Sequence, residues 1–158
     1  MPKAIGIAAD HAGFELKEEL KAYLLELGYE VDDKGALALN KDDDFSDYIK
    51  PVAKAVASNE GSMGIILGAS GQGEAMCANR YEGVRAAVFY GGKNLQTDIL
   101  GNKMNIITGA REHNNANILS LGARFLSIHE AKNAVKMFLE TKFNGEERHV
   151  RRINKLEI

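Results

Sequence analysis

Cysteine is almost missing from this chain of 158 residues: Cys77 is the only one. An intrachain disulfide is therefore impossible, and no Cys-x-x-Cys pair or Cys/His cluster offers a structural metal site. Charge of one sign is lacking as well. With 20 Lys and Arg against 22 Asp and Glu, the net charge is −2. Global electrostatics thus give no argument for nucleic acid or a membrane as partner, and any charge-based recognition has to be local. No apolar run approaches the roughly 20 residues that a membrane-spanning helix needs. The N-terminus enters a strand pattern directly, without the marks of a signal peptide. Internal repeats and disordered linkers are missing too. A cytoplasmic, reducing setting is the expectation.

What is present is ordinary for a globular protein: 45% hydrophobic and 27% charged residues. One domain over residues 1–158, with a sizeable core, is expected. Ala4 to Ala9 reads as a short buried strand, broken by Asp10-His11-Ala12-Gly13. Leu16, Leu20, Tyr23, Leu24 and Leu27 recur at helical spacing, with Lys17, Glu18, Glu19 and Lys21 on the other face. Tyr29-Glu30-Val31 begins a second strand. Asn40 to Asp44 is a polar, acidic loop, and Ile49, Val52, Ala53 and Val56 mark a second helix. Gly64–Leu67 is a third strand, Ala75 to Arg80 a helix, and Val84 to Phe89 a fourth strand. Gly91 to Thr108 is ambiguous, with helix-like material beside Gly101 and the β-branched pair Ile106-Ile107. Asn117 to Leu121 reads as a fifth strand and His129 to Lys142 as a helix with the stripe Ala131, Ala134, Val135, Phe138; a basic tail follows from Arg148 to Lys155. Strands alternating with helices predict a parallel sheet covered on both faces, with right-handed crossovers. Ligands of such sheets bind at the carboxyl ends of the strands. Asp10-His11, the stretch Gly68–Glu74 and the segment after the fourth strand are expected there.

The most informative of these is Gly68-Ala69-Ser70-Gly71-Gln72-Gly73-Glu74, between an apolar strand and a helix start. Strand, glycine-rich turn and helix can gather backbone N–H groups around an anion; the same glycines also suit a tight turn without a ligand. It is not a Walker loop, since no Gly-Lys-Ser/Thr follows, and it fits the dinucleotide fingerprint poorly. Glu74 sets a carboxylate beside the cradle, the pairing that proton abstraction next to a carbonyl needs. Asp10 is either a helix cap or half of a polar pair with His11. Arg111 to Asn117 is unusually polar for a stretch entering a strand, and His113 is suited to acid–base work near neutral pH. Arg124, Arg148, His149, Arg151 and Arg152 are candidate phosphate contacts, although the tail also reads as a solvated basic helix end. Cys77, within a helix, reads as a core thiol.

Taken in order, the motifs resemble the type B ribose-5-phosphate isomerases and the related galactose-6-phosphate isomerase subunits. The resemblance runs almost end to end: Ala9-Asp10-His11-Ala12-Gly13 with Lys17, Asp33-Lys34-Gly35, Asp44 to Tyr48, Gly68 to Glu74 with Ala78-Asn79-Arg80, Gly83 to Ala86, Arg111 to Asn117, Leu121 to Arg124, and Arg148 to Arg152. It implies an α/β fold, a Rossmann-like three-layer α/β/α arrangement with a five-stranded parallel sheet. It implies interconversion of an aldose and a ketose phosphate through a cis-enediolate, with no metal or cofactor. It also implies a homodimer with active sites shared between subunits, some members being tetramers, and a C-terminal basic segment, 146–158, that contacts the partner.

Many family members carry a cysteine base where this chain has Gly68; others carry a glutamate later in the loop, where Glu74 stands. The resemblance therefore assigns Glu74 as base. Backbone N–H groups of Ser70, Gly71, Gln72 and Gly73 would hold the enediolate, and the Ser70 hydroxyl would relay protons between O1 and O2. Asp10 and His113 would assist ring opening, and Asn114 would orient the open chain. His11 and Arg124 would meet phosphate from one subunit, with Arg148, His149 and Arg152 from the other. Phe45 stands where tyrosine is common, and the Tyr90–Ala110 segment is longer than usual. Those departures leave the sugar open: ribose 5-phosphate, or a hexose 6-phosphate such as that of allose or galactose. A non-catalytic phosphate-binding module and a partner subunit of a hetero-oligomer are the remaining readings.

Overall fold

A computed structural model describes residues 3–92 and 95–158. Five parallel strands form the sheet in the order β2-β1-β3-β7-β4: β1 Ile5–Ala9, β2 Val31–Asp33, β3 Gly64–Gly68, β4 Ala86–Phe89 and β7 Ile118–Gly122. The three inner strands, IGIAA, GIILG and ILSLG, are buried at every position. Continuous apolar runs of this kind are what a sheet covered on both faces requires. The five-stranded parallel arrangement expected from the sequence is thus the one found.

Helices α1 (Phe14–Glu26), α4 (Ile106–Asn114) and α5 (Ile128–Glu140) cover one face, where Leu16, Leu20, Leu24, Leu67, Leu119 and Phe138 share a core. Helices α2 (Phe45–Ser58) and α3 (Gln72–Ala78) cover the other, around Ile49, Val52, Ile66 and Ile118. The stripes read from sequence on α2 and α5 are all buried. Ser127 and Glu130 close a reciprocal capping box at the start of α5. No helix among the described residues is long and apolar enough to cross a membrane.

Several local readings are settled or changed. Tyr29 and Glu30 precede β2 rather than belong to it, and Val84 and Arg85 precede β4. The ambiguous segment resolves into an antiparallel hairpin, β5 Leu95–Thr97 with β6 Lys103–Asn105, followed directly by α4. The basic tail forms α6, Glu147–Asn154. Lys17, expected on the solvent face of α1, is fully buried: its Nζ lies 2.8 and 2.9 Å from the two Asp33 oxygens, so the ion pair takes the head group inward.

Strand order fixes where a ligand can sit. From β1 the chain moves outward to β2, then returns to the other side of β1 as β3. That reversal opens a crevice at the carboxyl ends of β1 and β3. Asp10-His11 leaves β1 there, and the glycine loop leaves β3 there.

Candidate active site

The glycine loop is pressed against the end of β7. Gly71 has a positive φ of 78°, and a Cβ there would meet the Leu121 and Ser120 backbone at 3.0–3.1 Å. The Ser120 hydroxyl donates to the Gly71 carbonyl at 2.6 Å. Ala123 N–H donates to the Gly68 carbonyl at 2.8 Å and Arg124 N–H to that of Ala69 at 3.1 Å. These bonds bring Arg124, exposed at the same edge, beside the loop. Ser70 Oγ accepts from the Gln72 N–H at 3.3 Å, so that amide is already engaged. The amides of Ser70, Gly71 and Gly73 donate to no protein group among the described residues. Gly73 lies under the Phe45 ring, where a Cβ would sit 2.9 Å from Phe45 Cζ.

Glu74 is 5% exposed. Its carboxylate fills the volume beside Gly68 that a Cβ on that residue would claim. Burial pushes its pKa above the ordinary glutamate value, and the nearby charge of Asp10 adds to the rise; the residue's own backbone N–H works against it. Asp10, 7% exposed, accepts from the N–H groups of Ala12 at 3.0 Å and Gly13 at 3.4 Å. These bonds close the turn ahead of α1, whose N-cap is Gly13 with no side-chain cap bond, so Asp10 is not the helix cap; its charge lies near enough to Glu74 to raise that residue's pKa. His11 Nδ1 lies 2.7 Å from Asp43 Oδ1. Asp10, His11 and Asp43 each offer a ligand-type atom within 4.8 Å of one another. In this arrangement the first is held by backbone amides and the other two by each other.

His113 and Asn114 lie elsewhere. Helix α4 runs back along the sheet, and its last turn stands next to the amino end of β7. A five-residue strand rises about 16 Å, so one chain does not bring these side chains to Glu74. Instead the His113 ring packs on the His149 ring of α6, with centroids 4.3 Å apart. His149 is 3% exposed and its Nδ1 lies 3.0 Å from Asn144 Oδ1. Burial holds its pKa below the ordinary histidine value, and the neighbouring His113 and Arg148 lower it further. Arg148 and Arg152 are exposed, Arg148 pairing with Glu146 at 2.8 Å. A cavity of about 290 Å³ is lined by His113 and Asn114 together with Gln96, Ile106, Ala87 and Val88. The expected residues thus form two groups: Asp10, His11, Ser70, Gly71, Gln72, Gly73, Glu74 and Arg124 at one edge, and His113, Asn114 and the tail residues at the other.

Arg111, two residues before His113, is structural. It is 6% exposed, donates to the carbonyls of Thr141 and Ala116, and stacks on Phe138. Cys77 is half-buried against the α2–α3 core rather than fully enclosed, and burial pushes its thiol pKa up. A raised pKa keeps the thiol protonated and poorly nucleophilic. Asp43 was missed in sequence, where Asn40 to Asp44 reads as a plain acidic loop.

A family model described as ribose/galactose isomerase matches residues 5–156. Among curated proteins, ribose-5-phosphate isomerase B of Mycobacterium tuberculosis (strain H37Rv) is 38% identical over 148 residues, covering 94% of this chain and 84% of that protein. The protein of the same name from Escherichia coli (strain K12) is 34% identical over 151 residues, covering 96% and 92%. The crystal structure of ribose-5-phosphate isomerase B from Mycoplasma genitalium with bound ribulose-5-phosphate superposes with a TM-score of 0.87 at 34% identity, over 99% of this chain and 95% of that one. A ribose 5-phosphate isomerase from Thermotoga maritima gives 0.83 at 42% identity, over 99% and 98%. With the switch-point crevice and the glycine loop in place, these likenesses mean that the chain belongs to the ribose/galactose isomerase family.

Proposed function

We propose that the chain interconverts ribose 5-phosphate and ribulose 5-phosphate through a cis-enediolate, with Glu74 as the base. One observation carries the assignment. The Glu74 carboxylate is buried in the niche beside Gly68, at the carboxyl end of β3, and its pKa is raised by that burial. A base held near the operating pH is what proton transfer at carbon needs. The names of the relatives and the ribulose-5-phosphate bound in the Mycoplasma structure support the substrate.

After ring opening, the C1 aldehyde lies over the loop. Glu74 takes the proton from C2, and the electron pair moves to form the C1–C2 double bond while negative charge gathers on O1. The unengaged amides of Ser70, Gly71 and Gly73 stabilise that charge. The Ser70 hydroxyl carries the proton of O2 to O1, and Glu74 returns its proton to C1, leaving the ketone at C2. His11 and Arg124 hold the phosphate. Asp10, with His113 and Asn114, serves ring opening and orientation.

His113 and Asn114 stand on the far edge of their own sheet, stacked with the tail through His149. They therefore reach a Glu74 site as a unit, together with the exposed Arg148 and Arg152, from a second copy of the chain, while the enclosed His149 supports the His113 ring instead of meeting the phosphate itself. A homodimer with two shared sites is the simplest closed arrangement of this kind. Each chain acts in it as one isomerase domain over 1–158, the 146–158 segment lying at the partner's phosphate, in a cytoplasmic setting.

Substitution Glu74→Gln tests the base. The variant is expected to keep its fold and its affinity for ribose 5-phosphate but to lose solvent deuterium exchange at C2. Near-full turnover in that variant removes Glu74 from the mechanism. A panel of phosphorylated pentoses and hexoses, read by ketose formation, decides the sugar; preference for a hexose 6-phosphate replaces the ribose reading.

A further inference from the structure

The loop before α2 contains a carboxylate that the proposed chemistry leaves unused. The Asp43 side chain is 3% exposed. Its Oδ1 takes two bonds from a single residue, His11: the backbone N–H at 3.1 Å and the ring Nδ1 at 2.7 Å. Its Oδ2 is buried and has no hydrogen-bond partner among the described residues. Burying a carboxylate with one oxygen bare costs stability. Burying it against one half-exposed histidine, at the crevice between β1 and β3, suggests a task for that histidine.

We infer that Asp43 is a positioning residue for the phosphate end of the substrate. An ionised carboxylate can only accept, so the short contact requires the proton on His11 Nδ1. Which ring nitrogen faces a ligand is set by the bond the other nitrogen makes. With Nδ1 turned inward, Nε2 is the atom left for a ligand. In the phosphate complex Nδ1 stays on Asp43, and Nε2 either accepts from a protonated phosphate oxygen or, after taking a proton from solvent, donates to a bare one. The second bond, to the His11 backbone, ties the loop to the turn into α1, so ring and main chain are fixed together. The ring's hydrogen bond among the described residues goes to Asp43, while Asp10 Oδ1 accepts from Ala12 and Gly13. Asp43 is enclosed and makes no contact with the sugar; it acts through His11. This assignment rests on the reading of His11 as a phosphate contact.

The test begins without turnover. In the whole protein, imidazole ¹⁵N shifts of neutral His11 are expected to show the Nδ1-protonated tautomer. Asp43→Leu is expected to lose that tautomer. It should also raise the KM for ribose 5-phosphate and the dissociation constant for inorganic phosphate together by about tenfold, the low end for an outer partner of a ligand-holding histidine. Its kcat should stay within about threefold, since removing binding common to ground and transition states leaves kcat unchanged. Asp43→Asn keeps an acceptor at Oδ1 and is expected to retain the tautomer and most of the phosphate affinity; this milder variant carries the test should the leucine variant not fold. Three outcomes overturn the inference: an Nε2-protonated His11 in the unaltered protein, a lost tautomer with phosphate affinity intact, or an asparagine variant as weak as the leucine one. Should the chain turn over no sugar phosphate, the proposed activity falls, while the tautomer and the phosphate titration still judge Asp43.

Discussion

The Glu74 carboxylate and a side chain on residue 68 exclude each other: a Cβ built on Gly68 would overlap the Glu74 carboxyl group. The glycine and the buried glutamate are therefore one feature. A thiol on residue 68 and a carboxylate from residue 74 are alternative ways of filling the same niche. Gly68→Ala should fold, with the 1–3 kcal/mol or so that overpacking costs, but should push Glu74 out of line. A loss of kcat of about 100-fold is expected, the lower end for general acid–base catalysis. Gly68→Cys should lose as much or more, since a thiol arrives only by displacing Glu74, the proposed base. Steady-state kinetics beside a thermal melt checks both, and an alanine variant with normal kcat contradicts the shared niche.

Burial, with help from the Asp10 charge, raises the pKa of Glu74 above the ordinary glutamate value. As the proposed base, Glu74 works deprotonated, so kcat/KM should fall on the acid side, with an apparent pKa above that of a solvated glutamate. Linkage fixes the sign for stability. Between the unfolded and folded pKa values the native state holds a proton that the unfolded state has lost. Stability is thus greatest below the unfolded pKa, declines as pH rises through the window, and levels above the folded pKa. Glu74→Gln has no proton to lose. The unaltered protein should lose stability relative to it as pH rises past the glutamate range. Denaturant midpoints of the two proteins across pH read this directly; a constant difference contradicts it.

Lys17 offers a test in the fold. Its head group is fully enclosed and bonded to Asp33 and Glu18, while Lys21 also reaches Asp33 at 2.9 Å. For Asp33, burial alone would raise the pKa, but the two lysines and the Gly35 N–H outweigh it and hold the carboxyl below its usual range. Lys17→Met keeps the stem and removes the charge. Breaking a buried pair from one side costs 3–5 kcal/mol in general; Lys21 and Gly35 stay with Asp33, so about 3 kcal/mol is expected by urea denaturation. Stability from the depressed Asp33 is present above the ordinary aspartate pKa and lost as pH falls through the folded one. The methionine variant should accordingly be less sensitive to acid.

Much of this architecture is legible in the sequence because its signals are local. The runs IGIAA, GIILG and ILSLG are continuous and apolar, and the α2 and α5 stripes keep helical spacing. The α4 region is harder. Strands β5 and β6 are three residues each and largely exposed, so no period builds up. The one readable sign of α4 is Asn105, whose side chain accepts from the Ile107 N–H at 2.8 Å as an N-cap. Missing that helix leaves His113 next to a strand entry without saying which edge of the sheet it occupies. Lys17 and Asp43 were hidden for another reason. Each is buried by a partner many residues distant, Asp33 and His11, and periodicity carries no information about such pairs.

The split of the site between two edges gives a prediction that needs no structure of the dimer. If each site joins Glu74 of one chain to His113 of another, Glu74→Gln and His113→Ala homodimers are each inactive for different reasons. Mixed and reassociated, they form heterodimers in which one site carries both lesions and the other carries neither. Random pairing makes half of the dimers mixed, each with one intact site of two, so about a quarter of the original activity should return. The recovered activity should show the KM of the unaltered protein, since its sites are complete. It should also appear only as subunits exchange, on the timescale of that exchange. Recovery near zero, with exchange demonstrated by tagged chains, would mean that Glu74 and His113 serve one site within a single chain, and the two-edge arrangement described above would have to rearrange for catalysis.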